Sequence, residues 1–302
     1  PESGFYVDRE NGLVCGVLPG TGAARILEAV TAQGAAVLLD KNGKEARKAV
    51  GTGMKIILRD AQGSDLDQLR LVVSGDLNGD GFCSAADLYA LTRLLRSNDK
   101  DPALRAAADL NADGLVTDQD VAALKARIFS ENENVEFSPE LREAGAFSIQ
   151  AQSVVHDGET WTVTLCLNNC RSATGVTGRL YYDKELLSLV PTKNDAGGDW
   201  EYGVSDRDGY IAFYAYSPDG SIANHRTKRL ITLKFEVKKG VAGELQLRCE
   251  QAFADFGGIC TRLEGDAQTR QITARAYGPL DVRIANAKDF RFDPNTYSYT
   301  VL

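Results

Sequence analysis

The rhythm of hydrophobic and polar positions changes twice along this chain. Through residues 1–74, short apolar runs are separated by turn formers. "GFYVDRENGLVCGV" predicts two short strands about a turn, and "GAARILEAVTA" sets Ile26, Leu27 and Val30 at helical spacing. "AAVLLD", "GMKIILRD" and "LRLVVSG" then predict strands, divided by "KNGK" and "AQGSD". From residue 75 to 130 the spacing is helical: Leu88, Leu91 and Leu95 share one face, and Val121, Leu124 and Ile128 another. Between them Asp101 supplies an N-cap and Pro102 a first-turn proline. Residues 131–145 read as a linker. From about 146 to 276 the period is two, as in Trp161, Val163, Leu165, Leu167 and again in Ile231, Leu233, Phe235, Val237. Residues 277–302 open a further β-unit.

The expected class is therefore multidomain and mainly β with α. It comprises a small α+β module, an all-α pair of loop–helix units, and an antiparallel β-sandwich or jelly roll. Its 302 residues are too many for one ordinary core. The chain begins at Pro1 and ends in an alternating "YSYTVL", so it reads as a segment of a larger protein. A net charge of −8 argues against a nucleic-acid partner, whose phosphates call for a basic face. No apolar run approaches the roughly 20 residues of a membrane span.

Catalytic chemistry is poorly supplied. The two histidines, His156 and His225, lie in polar, turn-like contexts, and no nucleophile elbow, phosphate loop or zinc-protease motif occurs. Asp206 and Asp208 are a carboxylate pair, but "SDRDG" reads first as a hairpin turn. Six cysteines form no CxxC pair. Cys166 with Cys170, or Cys249 with Cys260, would close small loops; buried free thiols are the simpler reading.

Chemistry gathers instead in two in-register runs, "DLNGDGFCSAAD" (76–87) and "DLNADGLVTDQD" (109–120). A hard cation such as Ca²⁺ takes six to eight oxygens around a tight loop, roughly 2.3–2.6 Å away. Positions 1, 3 and 5 offer Asp76, Asn78 and Asp80, and then Asp109, Asn111 and Asp113. Gly81 and Gly114 at position 6 allow the sharp turn. Position 7 offers the Phe82 or Leu115 carbonyl, position 9 the Ser84 or Thr117 hydroxyl, and position 12 Asp87 or Asp120. Two Ca²⁺ ions are expected.

Residues 75–130 resemble a type I dockerin, a paired calcium loop–helix module that plugs into cohesin domains of extracellular assemblies. Asp at position 12, and a first loop entered from a strand, distinguish the pattern from an ordinary EF-hand. The resemblance implies partner contacts at positions 10 and 11 and along the following helix. These are Ala85, Ala86, Thr92 and Arg93 in the first copy, and Asp118, Gln119, Lys125 and Ala126 in the second. The Ser/Thr pair usual in that family is absent from both.

Residues 146–276 are similar to a cohesin, in "GVTGRLYYDKELLSLV", "GYIAFYAYSPDG", "LITLKFEVKKGVAGELQL" and "AFADFGG", in that order. In "WEYGVSDRDGYIAFYAY", Ile211, Phe213 and Ala215 are expected to face the core. Tyr210, Tyr214 and Tyr216 then line the other face, with Trp200 and Tyr202 nearby. That face could meet a protein partner, stack on sugar rings, or pack under a neighbouring domain. The first module looks like modules that precede dockerins in surface proteins of Gram-positive anaerobes, and the tail is similar to cadherin-like or Ig-like repeats. Together these resemblances imply a non-catalytic, calcium-dependent assembly or attachment segment at an extracellular surface. Its partners would be cohesin or dockerin domains of other proteins, or an intramolecular contact. The alternative is a polysaccharide-binding adhesin with the calcium module as spacer.

Overall fold

A computed structural model describes residues 4–30, 35–46, 49–131, 146–151, 154–168, 173–191, 200–218, 227–256, 260–273, 290–293 and 298–301. Strands β1 (Tyr6–Asp8), β2 (Leu13–Val17), β3 (Ala35–Leu39), β4 (Lys55–Arg59) and β5 (Asp65–Val73) form one sheet in the order β1-β2-β5-β4-β3. The predicted helix is α1 (Ala23–Ala29). The alternation of a strand splits β2 and β5 between two cores. Val14, Val17, Leu71 and Val73 pack with Ile26 of α1. Leu13, Cys15 and Val72 pack on the opposite face. Burial on both faces is why these strands read as continuous apolar runs, and β2 pairs with β5 in parallel.

The second segment folds as α2 (Ala85–Arg96), α3 (Pro102–Ala108) and α4 (Asp118–Glu131). Ser84 caps α2, accepting the Ala86 N–H, while Asp87 reaches back to the Ser84 N–H, closing a capping box. Asp101 caps α3 through the Ala103 N–H, with Pro102 in the first turn as predicted. Ala103 and Ala107 of α3 supply the cover for Leu13, Cys15 and Val72. The helical segment and the first sheet therefore share a core. A bidentate pair of Arg70 on β5 with Asp101, both contacts 2.9 Å, pins that joint. Of the predicted linker (131–145), Glu131 instead ends α4 and the remainder lies outside the described residues.

The remainder is a sandwich of β6 (Ala146–Ala151), β7 (Val154–His156), β8 (Thr160–Asn168), β9 (Ala173–Tyr181), β10 (Leu187–Val190), β11 (Glu201–Arg207), β12 (Tyr210–Tyr216), β13 (Thr227–Val237), β14 (Gly243–Phe256), β15 (Cys260–Arg262) and β16 (Asp266–Thr273). One sheet runs β10-β13-β8-β6 and the other β11-β12-β9-β14-β16-β7, with β15 on β14. Inward residues alternate as predicted: Trp161, Val163, Leu165 and Leu167 meet Ile211, Phe213 and Ala215 across the core. The expected antiparallel pattern fails where β7 pairs with β16 in parallel. A final antiparallel pair, β17 (Phe290–Asp293) with β18 (Ser298–Val301), forms in the tail.

Side chains singled out for chemistry have structural partners. Asp206 and Asp208 flank the β11–β12 hairpin, whose turn ends on Gly209 at φ +86°. Asp206 accepts the Tyr182 hydroxyl, and Asp208 pairs with Lys184. His156 Nδ1 lies 2.7 Å from Thr273 Oγ1; His225 is outside the described residues. Cys15, Cys83, Cys166 and Cys249 are buried free thiols. Cys170 and the Cys260 side chain lie outside the described residues, so neither small-loop disulfide is described.

Candidate functional site: two acidic loops and a helix seated on the sandwich

The two acidic runs fold as the same loop twice. Gly81 and Gly114 at position 6 take φ +89° and +82°, the left-handed region that favours glycine. Asp76 at position 1 accepts N–H groups from Gly79 (2.7 Å) and Gly81 (3.0 Å). Asp109 accepts those of Asp113 (3.1 Å) and Gly114 (2.9 Å). At position 12 Asp87 accepts the Leu77 and Ser84 N–H groups, both at 2.8 Å. Asp120 accepts those of Leu110 (2.9 Å) and Thr117 (2.8 Å). Asn78 donates to Asp80, and Asn111 to Asp113, each at 2.9 Å.

What differs is the surroundings. Loop 1 is wedged between the first sheet and the sandwich, with Asp76 and Asp87 fully buried. Thr52, from the first sheet's β3–β4 connection, donates its N–H to Asp76 at 2.8 Å. Gly20 donates its N–H to the Gly81 carbonyl at 2.8 Å. Loop 2 is open: Asn111, Asp113, Gly114 and Leu115 are exposed, and only Asp120 is buried.

Burial sets the charge state of loop 1. It pushes the Asp76 carboxyl up to about 6, with backbone N–H groups opposing the rise. Asp80 is pushed up to about 8 by burial and then by the neighbouring Asp76 charge. Asp87 is raised well above the ordinary range by burial and by Asp80 and Asp76. No Lys or Arg ion pair reaches these three carboxylates among the described residues. A buried set of mutually repelling oxygen donors around a glycine turn suits a hard dication in chemistry and in backbone. Among the described residues no three His, Cys, Asp or Glu side chains stand ready at metal-holding geometry. The predicted set is completed by Asn78, the Phe82 carbonyl and Ser84, and several of its carboxylate oxygens now accept backbone N–H groups.

The helix launched by loop 1 ends against the sandwich. On the β9-β12-β14 sheet, residues pointing away from the core include Gly175, Thr177, Tyr214, Tyr216 and Asp255, brought side by side by strand pairing. Ala85 and Ala86 lie on this patch. The Ala85 N–H donates to Thr177 Oγ1 at 3.2 Å. A Cβ on Gly175 would stand 2.5 Å from the Ala85 carbonyl carbon and from the Ala86 nitrogen, so only glycine admits the helix. Tyr214 and Tyr216 enter the helical segment's core with Leu88, Leu91, Leu124 and Ile128. Phe129 of α4 packs against Tyr214 in a tilted pair, 5.1 Å between centroids. At the rim, Arg96 donates to the Pro218 carbonyl (2.9 Å) and Lys125 pairs with Glu201 (3.5 Å).

Of the residues expected to meet a partner, Ala85, Ala86, Lys125, Tyr214 and Tyr216 therefore meet this contact within the chain. Thr92 is half-buried and hydrogen-bonds back to the Tyr89 carbonyl. Arg93, Asp118, Gln119 and Ala126 stay exposed. Tyr210 lies at the far end of its strand, beneath the Arg179 guanidinium, 4.9 Å from the ring centroid. The expected aromatic row is thus not a free face. Trp200 and Tyr202 are not beside it, since both point into the sandwich core. Thr52, Gly175, Thr177 and Asp255 were not anticipated. The glycines of "ATGVTGRL", inside a strand pattern, were the one signal of close backbone approach.

Residues 74–129 match the family model described as the dockerin type I domain. No curated protein matches the chain. Among solved structures, a cohesin module of a family 33 glycoside hydrolase from Clostridium perfringens is similar at 16% identity, over 43% of this chain and 98% of that one, with a TM-score of 0.39. A non-cellulosomal cohesin from the archaeon Archaeoglobus fulgidus is similar at 15% identity, over 43% and 94%, with a TM-score of 0.36. A type II cohesin domain from the cellulosome of Acetivibrio cellulolyticus is similar at 14%, over 43% and 91%, with a TM-score of 0.33.

Proposed function

We propose that this chain is a non-catalytic, calcium-dependent assembly segment whose dockerin-type module is seated on a cohesin-type sandwich of the same chain. The observation that carries the reading is the seat itself. The start of α2 is buried on the outer face of the sandwich, between Gly175 and Thr177, with Tyr214 and Tyr216 completing the helical core. The reading divides the chain into a platform (1–74), a calcium module (75–130), a linker (131–145), a sandwich (146–276) and the start of another β-domain (277–302). Asp76, Asn78, Asp80, Phe82, Ser84 and Asp87 would hold one Ca²⁺, and Asp109, Asn111, Asp113, Leu115, Thr117 and Asp120 a second. The ion supplies the positive charge that the loop carboxylates lack, so that loop closure and metal binding become one event.

With Tyr214 and Tyr216 covered, a sugar-stacking role for that face loses its surface. Partners in other chains, of cohesin or dockerin type at an extracellular surface, would use what is left open, including Arg93, Asp118 and Gln119. Titration calorimetry of chelator-stripped chain tests the metal half: two Ca²⁺ ions are expected, and Asp76→Ala combined with Asp109→Ala should abolish both. A flat titration at millimolar calcium refutes it.

A further inference from the structure

Loop 1 touches the sandwich through its third ligand position. Asn78 Nδ2 lies 3.4 Å from Asp255 Oδ2 on β14. The other oxygen of Asp255 accepts the Thr174 hydroxyl at 2.7 Å, and the residue is 4% exposed. An amide that donates through Nδ2 has its carbonyl oxygen turned the other way. In loop 1 that Oδ1 faces inward, accepting the Asp80 N–H at 2.9 Å. Asp255 therefore helps to fix which side of Asn78 the loop interior meets. In loop 2 Asn111 holds the same orientation, its Oδ1 accepting the Asp113 N–H at 3.0 Å, but its amide donates to Asp113 and to Gln119, so there the second acceptor comes from the helical segment rather than from the sandwich.

Asp80 and Asp255 share the Asn78 amide in a low-dielectric junction, where like charges repel more strongly than in water. Seating the helix brings these carboxylates together; a dication held by loop 1 would offset that opposition. The same short sequence motif thus occupies two different circumstances: among the described residues, loop 1 is hydrogen-bonded to the sandwich and loop 2 only within the helical segment.

We infer that Asp255 is a positioning residue for the first calcium loop, so that filling of loop 1 and seating of α2 on the sandwich are one coupled equilibrium. The inference rests on the calcium reading of the loops. Linkage makes it reciprocal: the factor by which seating raises loop 1 affinity is the factor by which the ion favours seating. Loop 2, solvent-facing and without such a contact to Asp255, meets the seat only through α4, so Asp255 acts on loop 1 and not on loop 2.

The test uses the full chain, with Ca²⁺ calorimetry for affinity and hydrogen exchange at Ala85 and Ala86 for the seat. Wild type should show two unequal sites, and calcium should slow exchange at the seat. Asp255→Ala should weaken one site about tenfold, the usual cost of losing a residue that orients a metal ligand, and leave the other unchanged. In that variant calcium should no longer slow exchange at the seat although loop 2 still fills. Asp255→Asn, milder to the fold, keeps an acceptor oxygen for Asn78 and should recover part of the loss. Asp109→Ala should remove only the unaffected site. Two ions with unchanged affinities in Asp255→Ala, or a seat indifferent to calcium in wild type, overturns the inference while leaving the calcium reading intact. No binding at either loop in wild type overturns the calcium reading and the inference with it.

Discussion

At the scale of single residues, the two position-6 glycines separate backbone strain from crowding. At Gly114 an added Cβ would meet nothing within 4 Å, so Gly114→Ala carries only the left-handed conformation, about 1 kcal/mol. At Gly81 the same methyl would also stand 2.7 Å from the Val50 carbonyl oxygen. Gly81→Ala should therefore cost clearly more, in the range of about 2–3 kcal/mol, as read by denaturant unfolding in chelator. Asp101 offers a second case. Its hydrogen bonds to Arg70 hold the carboxyl below its ordinary value, so the folded form keeps it ionised more readily than the unfolded chain does. That contribution is present above the unfolded value and lost as pH falls through the folded one. Asp101→Ala should cost about 1–2 kcal/mol at neutral pH, mainly through the lost cap, with the gap to wild type narrowing in acid.

At the scale of elements, helix α2 has two functions that its sequence shows unequally. Its inward stripe of leucines is periodic and therefore legible. Its seat depends on what β9 lacks, a side chain at Gly175, and on a hydroxyl from Thr177 in place of one on the helix. Gly175→Ala should lift the start of α2 from the sheet while leaving the sandwich core folded. The tyrosines report the change. Burial, then the Glu201 charge, pushes the Tyr214 phenol up to about 12. In Gly175→Ala, spectroscopic titration should find Tyr214 ionising nearer its ordinary value. A Tyr214 titration unchanged from wild type would show that the helix remains seated.

At the scale of the whole molecule, the helical segment links the first sheet to the sandwich through buried contacts on both sides. Helix α3 covers the platform, α2 and α4 cover the tyrosines, and loop 1 fills the corner where these layers meet. Stripping calcium from the full chain should therefore loosen both junctions of loop 1 together. Hydrogen exchange should rise at Thr52 on one side and at Ala85 and Ala86 on the other, while loop 2 changes only locally. Equal, local changes at both loops would contradict this arrangement.

The chain's sequence by itself determined the features that arise from local repetition. Period two placed Trp161, Phe213 and Phe235 in a sandwich core; helical period and caps placed α2 to α4; a twelve-residue acid pattern placed both loops and their glycines. Each is legible because its cause lies within a few neighbouring residues. Which face of β12 would be covered, that Trp200 and Tyr202 turn inward, that β7 joins β16 in parallel, and that one loop is closed while its twin is open were decided by tertiary structure. Those outcomes depend on contacts between residues far apart in the chain, such as Asn78 with Asp255 and Ala85 with Thr177. No local period encodes such pairs, because the energy that selects them exists only once the layers are stacked.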